Sequence, residues 1–213
     1  MKVRAEKLGK RFQYDWIFRN LSLTCEEGRH VAITGRNGSG KSTLAKILCG
    51  LLTPTRGRIL CGIDNHDVSA LSLHRHIGLV SPYINMYDEF SGMENLSLFG
   101  RIRNLRLATN DEPARLLRQF GIYERRNDDV RTYSSGMKQR LKYAAALLHR
   151  PELLILDEPT ANLDEEGIAT VQGVMRAQIE KGILVIATND AGDLEFAGRR
   201  IDLNDSRTKN GKP

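Results

Sequence analysis

The sequence predicts an α/β fold built on a parallel sheet, and three short apolar segments support this prediction. The first, Val31 to Thr34, runs into glycines and then into the periodic stretch Leu44 to Leu52, which gives the order strand, loop, helix. Two further strand-length runs, Leu153 to Leu156 and Ile183 to Thr188, enclose the helical pattern of Ile168 to Glu180. Strand, helix and strand in this order form a βαβ unit, in which the two strands lie parallel.

The organisation of the chain fits one domain over residues 1–213 with a single insertion. From about residue 83 to 145 the sequence loses strand signals and shows helical periodicity interrupted by glycine and proline. We therefore expect an inserted helical subdomain there. Residues 204–213 are polar and lack an apolar period, so we expect a flexible tail.

Composition indicates a cytosolic, globular chain. Hydrophobic residues make up 40% and charged residues 27%, and the longest apolar runs are only as long as strands, so we expect no bilayer crossing. The basic start of the chain is not followed by a continuous apolar stretch, which argues against a secretory signal. Cys25, Cys49 and Cys61 are widely spaced, and we expect small buried residues rather than a disulfide or a zinc site.

The charge balance leaves the partner open. A net charge of +6 and a pI near 9.3 are compatible with nucleic acid or an anionic membrane but require neither. Arginines are frequent between residues 101 and 131, where acidic residues are interleaved with them. This segment predicts either a mixed solvated face or a surface that faces a membrane or partner. We do not expect His74 and His76 to bind a metal.

A glycine-rich loop follows the first strand and precedes the first helix. It matches the pattern G-x-x-x-x-G-K-[ST], whose backbone N–H groups cradle phosphate at a helix N-terminus. Lys41 then supplies a mobile cation for the β- and γ-phosphates, and the Ser42 hydroxyl is a ligand for Mg²⁺. The residues expected to bind ATP are Gly35, Arg36, Asn37, Gly38, Ser39, Gly40, Lys41, Ser42 and Thr43.

Two carboxylates stand at the end of a later strand, where parallel sheets place their ligand chemistry. Asp157 is suited to holding Mg²⁺, and Glu158 to orienting or deprotonating the attacking water. An acidic pair at this point has one alternative interpretation, the capping of a following helix.

The order of motifs in the second half of the chain carries a family resemblance. A helix start reads Tyr133-Ser134-Ser135-Gly136-Met137-Lys138-Gln139-Arg140. It is followed by a helical pattern to His149, by the strand with Asp157 and Glu158, and by the segment Ala161-Asn162-Leu163-Asp164. In this arrangement the chain resembles the ATP-binding-cassette (ABC) family from Val3 to about Leu203. The resemblance implies a RecA-like P-loop NTPase core with a small N-terminal antiparallel β part.

The resemblance also implies a second half-site. The signature residues of the family correspond to Ser134, Ser135, Gly136 and Met137. They would bind the γ-phosphate held by a second copy, so that two ATP molecules lie within a head-to-tail homodimer. Asp164 resembles the aspartate that links the two sites across this interface. Phe12 resembles the aromatic residue that stacks on adenine, with Tyr14 and Trp16 as alternatives and a core position as another interpretation.

Two positions depart from the family pattern. Pro82 stands where the family has a glutamine that touches magnesium and water, so that role falls to a neighbour such as Ser81 or is weakened. Asn189 stands where the family has a histidine, and its amide can donate a hydrogen bond to the γ-phosphate but cannot carry charge. We expect Asn189 and Glu158 to be the catalytic residues.

Three functions fit these residues. The first is an ATPase that powers transport through a separate multi-span membrane permease, with this chain on the cytoplasmic face of the membrane. The form of the signature resembles exporters more than importers. The second is a soluble ABC protein acting on nucleic acid or the ribosome, although the single cassette leads us to expect no nucleic acid. The third is a module that closes on ATP and hydrolyses it weakly.

Overall fold

The computed structural model describes residues 1–28, 30–63, 66–69, 72–105 and 111–204, so the predicted tail lies almost wholly outside the described residues. The strands within these ranges are β1 (Lys2–Phe12), β2 (Asp15–Glu26), β3 (Val31–Thr34), β4 (Arg56–Ile63), β5 (His66–Asp67), β6 (Ile77–Val80), β7 (Leu153–Asp157), β8 (Ile183–Ala187) and β9 (Arg199–Asp202). The α-helices are α1 (Lys41–Leu48), α2 (Gly92–Ile102), α3 (Asp111–Gln119), α4 (Ser135–Leu147), α5 (Glu165–Lys181) and α6 (Ala191–Leu194). None of these helices has the length and apolar character needed to cross a membrane.

Two sheets organise the described residues. The first is antiparallel and runs in the order β2-β1-β4-β5. The second is parallel and runs in the order β6-β7-β8-β3-β9. The predicted α/β fold, with a parallel core and a small N-terminal antiparallel part, is therefore confirmed.

The parallel sheet is buried on both faces, which explains why its strands are continuous apolar runs instead of alternating patterns. Along β7, Leu153 and Ile155 pack into a core shared with α1 and the antiparallel sheet. Leu154 and Leu156 point the other way, into a core shared with α4 and α5. Side chains alternate between the faces of a strand, so this one strand joins the two cores.

Helix α1 is shorter than the sequence pattern predicts. It ends at Leu48, four residues before the end of the periodic stretch, and Leu51 is 68% exposed. Gly50 adopts a positive φ of 78°, and the N–H groups of Leu51 and Leu52 donate back to the carbonyl of Lys46. This is a glycine-based helix stop, and the apolar periodicity beyond Gly50 does not reflect helix.

The segment predicted to be a helical subdomain contains α2 and α3 and most of α4. Ser91 caps α2 in a capping box with Glu94, in which each side chain accepts from the other residue's backbone N–H. Ser134 caps α4 and accepts from the N–H of Met137. The capping box fixes the start of α2, and the Ser134 cap fixes the start of α4.

A half-buried histidine joins α4 to β6. The ring Nε2 of His149 lies 2.9 Å from the Arg103 guanidinium, from which only an unprotonated nitrogen accepts, and 3.1 Å from the carbonyl oxygen of Ile77 in β6. Burial, and next the positive charge of Arg103, lower the pKa of His149 from its usual 6.5 to about 4. His149 is therefore neutral in the folded protein at physiological pH.

This buried neutral ring predicts a pH-dependent stability. Between about pH 4 and 6.5, His149 is protonated in the unfolded chain but not in the folded protein. The contribution of His149 to the stability of the fold is therefore complete above pH 6.5 and is lost as the pH falls towards 4. His149→Gln does not titrate. In urea unfolding, the stability of wild type relative to this variant should fall by about 3 kcal/mol across that range. A constant difference would contradict the neutral buried ring.

Candidate functional site

The candidate site lies at one edge of the parallel sheet, where four neighbouring strands end. β6, β7, β8 and β3 are parallel and adjacent, so their carboxyl ends lie side by side. The residues that follow these four ends are Ser81, Glu158, Thr188 with Asn189, and Gly35. Two backbone bonds across the edge join the ends of β7, β8 and β3: the N–H of Glu158 donates to the carbonyl of Ala187, and the N–H of Thr188 donates to that of Ile33.

The glycine-rich loop is shaped by close contacts that exclude side chains. Gly35, Gly38 and Gly40 adopt positive φ values of 141°, 75° and 105°. A Cβ on Gly40 would lie 2.3 Å from Cγ2 of Ile17, and one on Gly35 would lie 2.6 Å from Oγ of Ser39. The loop therefore needs glycine at both ends, and it leads directly into the N-terminus of α1, the end of a helix that favours anions.

Lys41 is the buried cation of this loop, with only 6% of its surface exposed. Its Nζ donates to the carbonyl of Gly35 at 2.8 Å and lies 3.6 Å from Oε1 of Glu158. An ammonium has three N–H donors, and these two contacts use at most two of them. A donor therefore remains for a phosphate oxygen.

Asp157 presents one committed and one uncommitted oxygen. Its Oδ2 accepts from the Ser81 hydroxyl at 3.0 Å, and its buried Oδ1 has no hydrogen-bond partner among the described residues. A buried carboxylate oxygen without a donor is costly unless a cation or another donor meets it. The helix-cap interpretation of the acidic pair is wrong, because the next helix, α5, is capped by Asp164.

Glu158 and Asn189 meet the loop from neighbouring strand ends. Glu158 has a positive φ of 53°, a strained conformation for a residue with a Cβ. The Oδ1 of Asn189 accepts from the N–H of Gly35 at 3.2 Å. Asn189 thus ties the end of β8 to the start of the loop, a contact that its amide provides without charge.

A buried carboxylate that the sequence did not single out lies behind these residues. Oδ2 of Asp193 accepts from the hydroxyls of Thr188 at 2.9 Å and Thr160 at 3.3 Å. Burial raises the pKa of Asp193, and the nearby carboxylates Asp190 and Glu158 add to the shift. Thr160 closely follows Glu158 in the chain, and Thr188 directly precedes Asn189. Asp193 therefore joins the two segments that carry Glu158 and Asn189. The sequence gives no signal of this role, because Asp190 and Asp193 both resemble the acidic residues that are common at the start of a helix.

The signature residues begin α4 and do not line the cavity of the glycine-rich loop. That cavity has a volume of about 480 Å³, and its described lining comprises Ile17, Asn37, Gly38, Ser39, Gly40, Lys41, Ser42, Thr43, Pro82, Tyr83 and Glu158. The hydroxyl of Ser134 is used as the cap of α4, whereas Ser135 is exposed. A Cβ on Gly136 would lie 3.1 Å from the carbonyl of Asn162. The signature therefore packs beside the segment that leads to Asp164.

Asp164 is held by contacts with Gly167 and Arg140. It caps α5 by accepting from the N–H of Gly167 at 2.9 Å, and it pairs with Arg140 of the signature helix. The Gly167 bond first, and then Arg140, lower the pKa of Asp164. Arg140 also donates to the carbonyl of Phe120, so it links α4 to α3 and to the start of α5.

The aromatic residues of the first hairpin take unequal positions. Phe12 is 48% exposed at the end of β1, so the core interpretation is wrong, and Lys10 Nζ lies 5.0 Å from its ring centroid. The pairing of β1 and β2 shifts register where Lys10 opposes Phe18 and Arg11 opposes Trp16, which leaves Ile17 as an extra residue. Such a bulge directs Ile17 and Phe18 towards Gly40 and Trp16 to the opposite face. Ile17 was missed because a bulge has no clear sequence signal.

The segment after β6 is anchored despite Pro82. Lys142 of α4 lies with its Nζ 3.5 Å from the carbonyls of both Ser81 and Pro82. Tyr83 lies against α1, with its ring centroid 3.8 Å from Nζ of Lys46. The proline thus offers a carbonyl, where a glutamine would offer a side-chain amide.

A phosphate-binding loop with a buried lysine, a strand-end carboxylate pair and a parallel sheet define a P-loop nucleotide-binding protein. The family model described as ABC transporter matches residues 18–161. ArtM, the arginine transport ATP-binding protein of Bacillus subtilis, is 33% identical over 93% of this chain and 85% of its own length. DrrA3, the daunorubicin resistance ATP-binding protein of Streptomyces coeruleorubidus, is 37% identical over 87% of this chain and 59% of its own length.

A solved structure gives the same result. The dimeric post-hydrolysis state of the ATP-binding cassette MJ0796, bound to ADP and Pi, aligns with a TM-score of 0.83 and 26% identity. The alignment covers 94% of this chain and 93% of that one. The chain belongs to the ABC transporter family, and it is an ATPase of the ABC type.

The Asp193 contacts predict a difference between two substitutions. Asp193→Asn keeps an oxygen acceptor and removes a charge that burial opposes, so its free energy of unfolding should stay within about 1 kcal/mol of wild type. Asp193→Ala leaves two hydroxyls without their acceptor and should lose about 1–3 kcal/mol. Urea unfolding at neutral pH measures both. Equal losses would show that the negative charge itself is needed.

Proposed function

We propose that this chain is the ATP-hydrolysing subunit of a membrane transporter, acting as a homodimer on the cytoplasmic face of a separate multi-span permease. The observation that carries the proposal is the site edge itself, where the buried Lys41 lies between the carbonyl of Gly35 and the carboxylate of Glu158. A phosphate chain on the loop would place its γ-phosphate next to a cation, a general-base candidate and a neutral amide.

Magnesium fits the oxygen donors present. The Ser42 hydroxyl lies in the lining of the loop cavity, and the uncommitted Oδ1 of Asp157 lies buried at the same strand edge. Hydroxyl and carboxylate oxygens are the ligands that Mg²⁺ prefers. When bound, the ion would neutralise charge on the β- and γ-phosphates. Ser81 orients Asp157 through its 3.0 Å hydrogen bond. Pro82, at the glutamine position of the family, has no side-chain polar group with which to do this.

The proposed chemistry of the protein's own side chains is the activation of one water molecule. Glu158 is the carboxylate nearest the Lys41 ammonium, and its side chain is 40% exposed, so water reaches it. It would accept a proton from the water that attacks the γ-phosphate. Asn189, whose Oδ1 already accepts from Gly35, would donate from its Nδ2 to the same phosphate.

A second copy would complete each site. Ser134, Ser135, Gly136 and Met137 begin α4 away from the described lining of the loop cavity, so one chain does not bring both halves together. Dimers in which the signature helix start of one copy meets the γ-phosphate on the other would do so, with the helix N-terminus favouring the anion. Asp164, next to the signature through Arg140, would lie at this interface.

The membrane partner would dock on exposed aromatic residues beside the site. Tyr83, Tyr87 and Phe90 are 65%, 48% and 40% exposed, and Tyr87 and Phe90 contact each other at 5.6 Å between ring centroids. Exposed aromatic clusters are typical of interfaces. We infer export as the direction, supported by the resemblance of the sequence Ser-Ser-Gly-Met-Lys-Gln-Arg, from Ser134 to Arg140, to the signature of exporters.

The main prediction concerns turnover. Glu158→Gln removes the proton acceptor and should lower single-turnover hydrolysis at saturating Mg-ATP by about 10²- to 10⁴-fold. Asn189→Ala removes neutral hydrogen bonds only and should cost far less. Both should bind Mg-ATP, whereas Lys41→Ala should not. Loss of turnover in Asn189→Ala equal to that in Glu158→Gln would overturn this ranking, and a wild type without turnover would favour the weakly hydrolysing module.

Assembly gives an independent prediction. Gly136→Asp places a carboxylate against the γ-phosphate of the partner copy and should block ATP-driven dimerisation of the Glu158→Gln protein. Gly136→Ala is the matched control, because it adds a Cβ near the Asn162 carbonyl without adding charge. Light scattering with Mg-ATP measures the mass, and calorimetry checks that the monomer still binds nucleotide. Dimers of the Gly136→Asp protein would refute the interface.

A further inference from the structure

The outer face of the antiparallel sheet carries a second cavity, larger than that of the phosphate loop. Its volume is about 1070 Å³, and its described lining comprises Glu6, Lys7, Gly9, Trp16, Arg19, Asn20, Ser22, Arg56, Gly57 and Arg58. Three strands are irregular at this level, where Lys7, Asn20 and Gly57 adopt positive φ values of 50°, 53° and 78°. Bulges of this kind bend strands and redirect side chains, and they are frequent beside functional sites.

The charge of this cavity is unbalanced. Lys7, Arg19, Arg56 and Arg58 line it, against the single carboxylate Glu6. That carboxylate already pairs with Arg58 at 2.9 Å. Within the described residues, Arg19 and Arg56 have no ion pair with a carboxylate, and the same holds for nearby Arg11. Cations gathered in a concave surface raise its positive potential and attract an anion.

Trp16 orders these cations. The guanidinium carbons of Arg19, Arg56 and Arg11 lie 4.6, 5.4 and 5.6 Å from its ring centroid, within the range of cation–π contacts. The ring lies across Gly9, where a Cβ would be only 2.9 Å from Cζ3 of Trp16. The indole thus groups three planar, permanently charged guanidinium groups, of which those of Arg19 and Arg56 line the cavity. The two-pronged donor geometry of a guanidinium matches pairs of phosphate oxygens.

We propose that this cavity binds a small phosphate-bearing anion at a site distinct from the nucleotide site. The lining of the two cavities has no residue in common, and the bulge at Ile17 sends Trp16 to the face opposite the phosphate loop. The binding chemistry is guanidinium to phosphate, and its source is either a free polyphosphate or an anionic phospholipid headgroup. The proposal does not depend on hydrolysis or on a permease.

The experiment uses the only tryptophan of the sequence as the probe. Inorganic tripolyphosphate, and vesicles of phosphatidylglycerol or phosphatidylcholine, are titrated against the full chain while Trp16 fluorescence is followed. The Arg19→Gln/Arg56→Gln variant tests the site. The matched control is Arg101→Gln/Arg200→Gln, which removes two exposed charges elsewhere. Lys41→Ala removes the contribution of the phosphate loop, and Mg-ATP calorimetry on both double variants checks folding.

A saturable fluorescence change is expected in the wild-type protein. The binding affinity should be at least about fivefold weaker in the Arg19→Gln/Arg56→Gln variant, and unchanged in the matched control and in Lys41→Ala. A response to tripolyphosphate identifies a free anion as the source, and one to phosphatidylglycerol vesicles alone identifies the headgroup. Equal binding by both double variants would overturn the proposal. So would loss of the response in Lys41→Ala, or a response confined to phosphatidylcholine or to a single-stranded oligonucleotide added as a further titrant.

Discussion

The structure depends on the alignment of four parallel strand ends over one glycine-rich loop. Without it, Lys41, Asp157 and Asn189 would be remote in space as they are in sequence. The cross-strand bonds from Glu158 to Ala187 and from Thr188 to Ile33, together with the hydrogen bond from Ser81 to Asp157, hold this alignment. The strands are held in turn by cores on both faces, so the precision of the site derives from the burial of β7 and its neighbours.

Much of this arrangement was predictable, because its signals are local. A loop of fixed spacing between a strand and a helix leaves few alternatives, and the carboxylates at the end of an apolar run locate the second half of the site. The end of α1 was mispredicted because apolar residues continued past Gly50, whose positive φ stops the helix. Ile17, Asp193 and the contact of Lys142 with the Pro82 carbonyl depend on long-range packing, and no single-sequence pattern encodes them.

The two departures from the family pattern acquire a physical meaning. Asn189 retains a contact with the loop through its amide oxygen, and Ser81 approaches Asp157 from the strand end that precedes Pro82. Asn189 is a neutral residue where the family has an ionisable histidine. Pro82 offers only a backbone carbonyl where the family has the side chain of a glutamine. With neutral groups at both positions, the electrostatics of the site depend on Lys41, Glu158 and Asp157.

The central claim is that one chain supplies half of each ATP site and that a second copy supplies the rest. Amide hydrogen exchange of the Glu158→Gln protein, with and without Mg-ATP, tests it most directly. The account predicts increased protection at residues 35–43 and also at residues 134–137, the second only at concentrations where dimers form. Protection of the loop without any change at residues 134–137 in the dimer would contradict it.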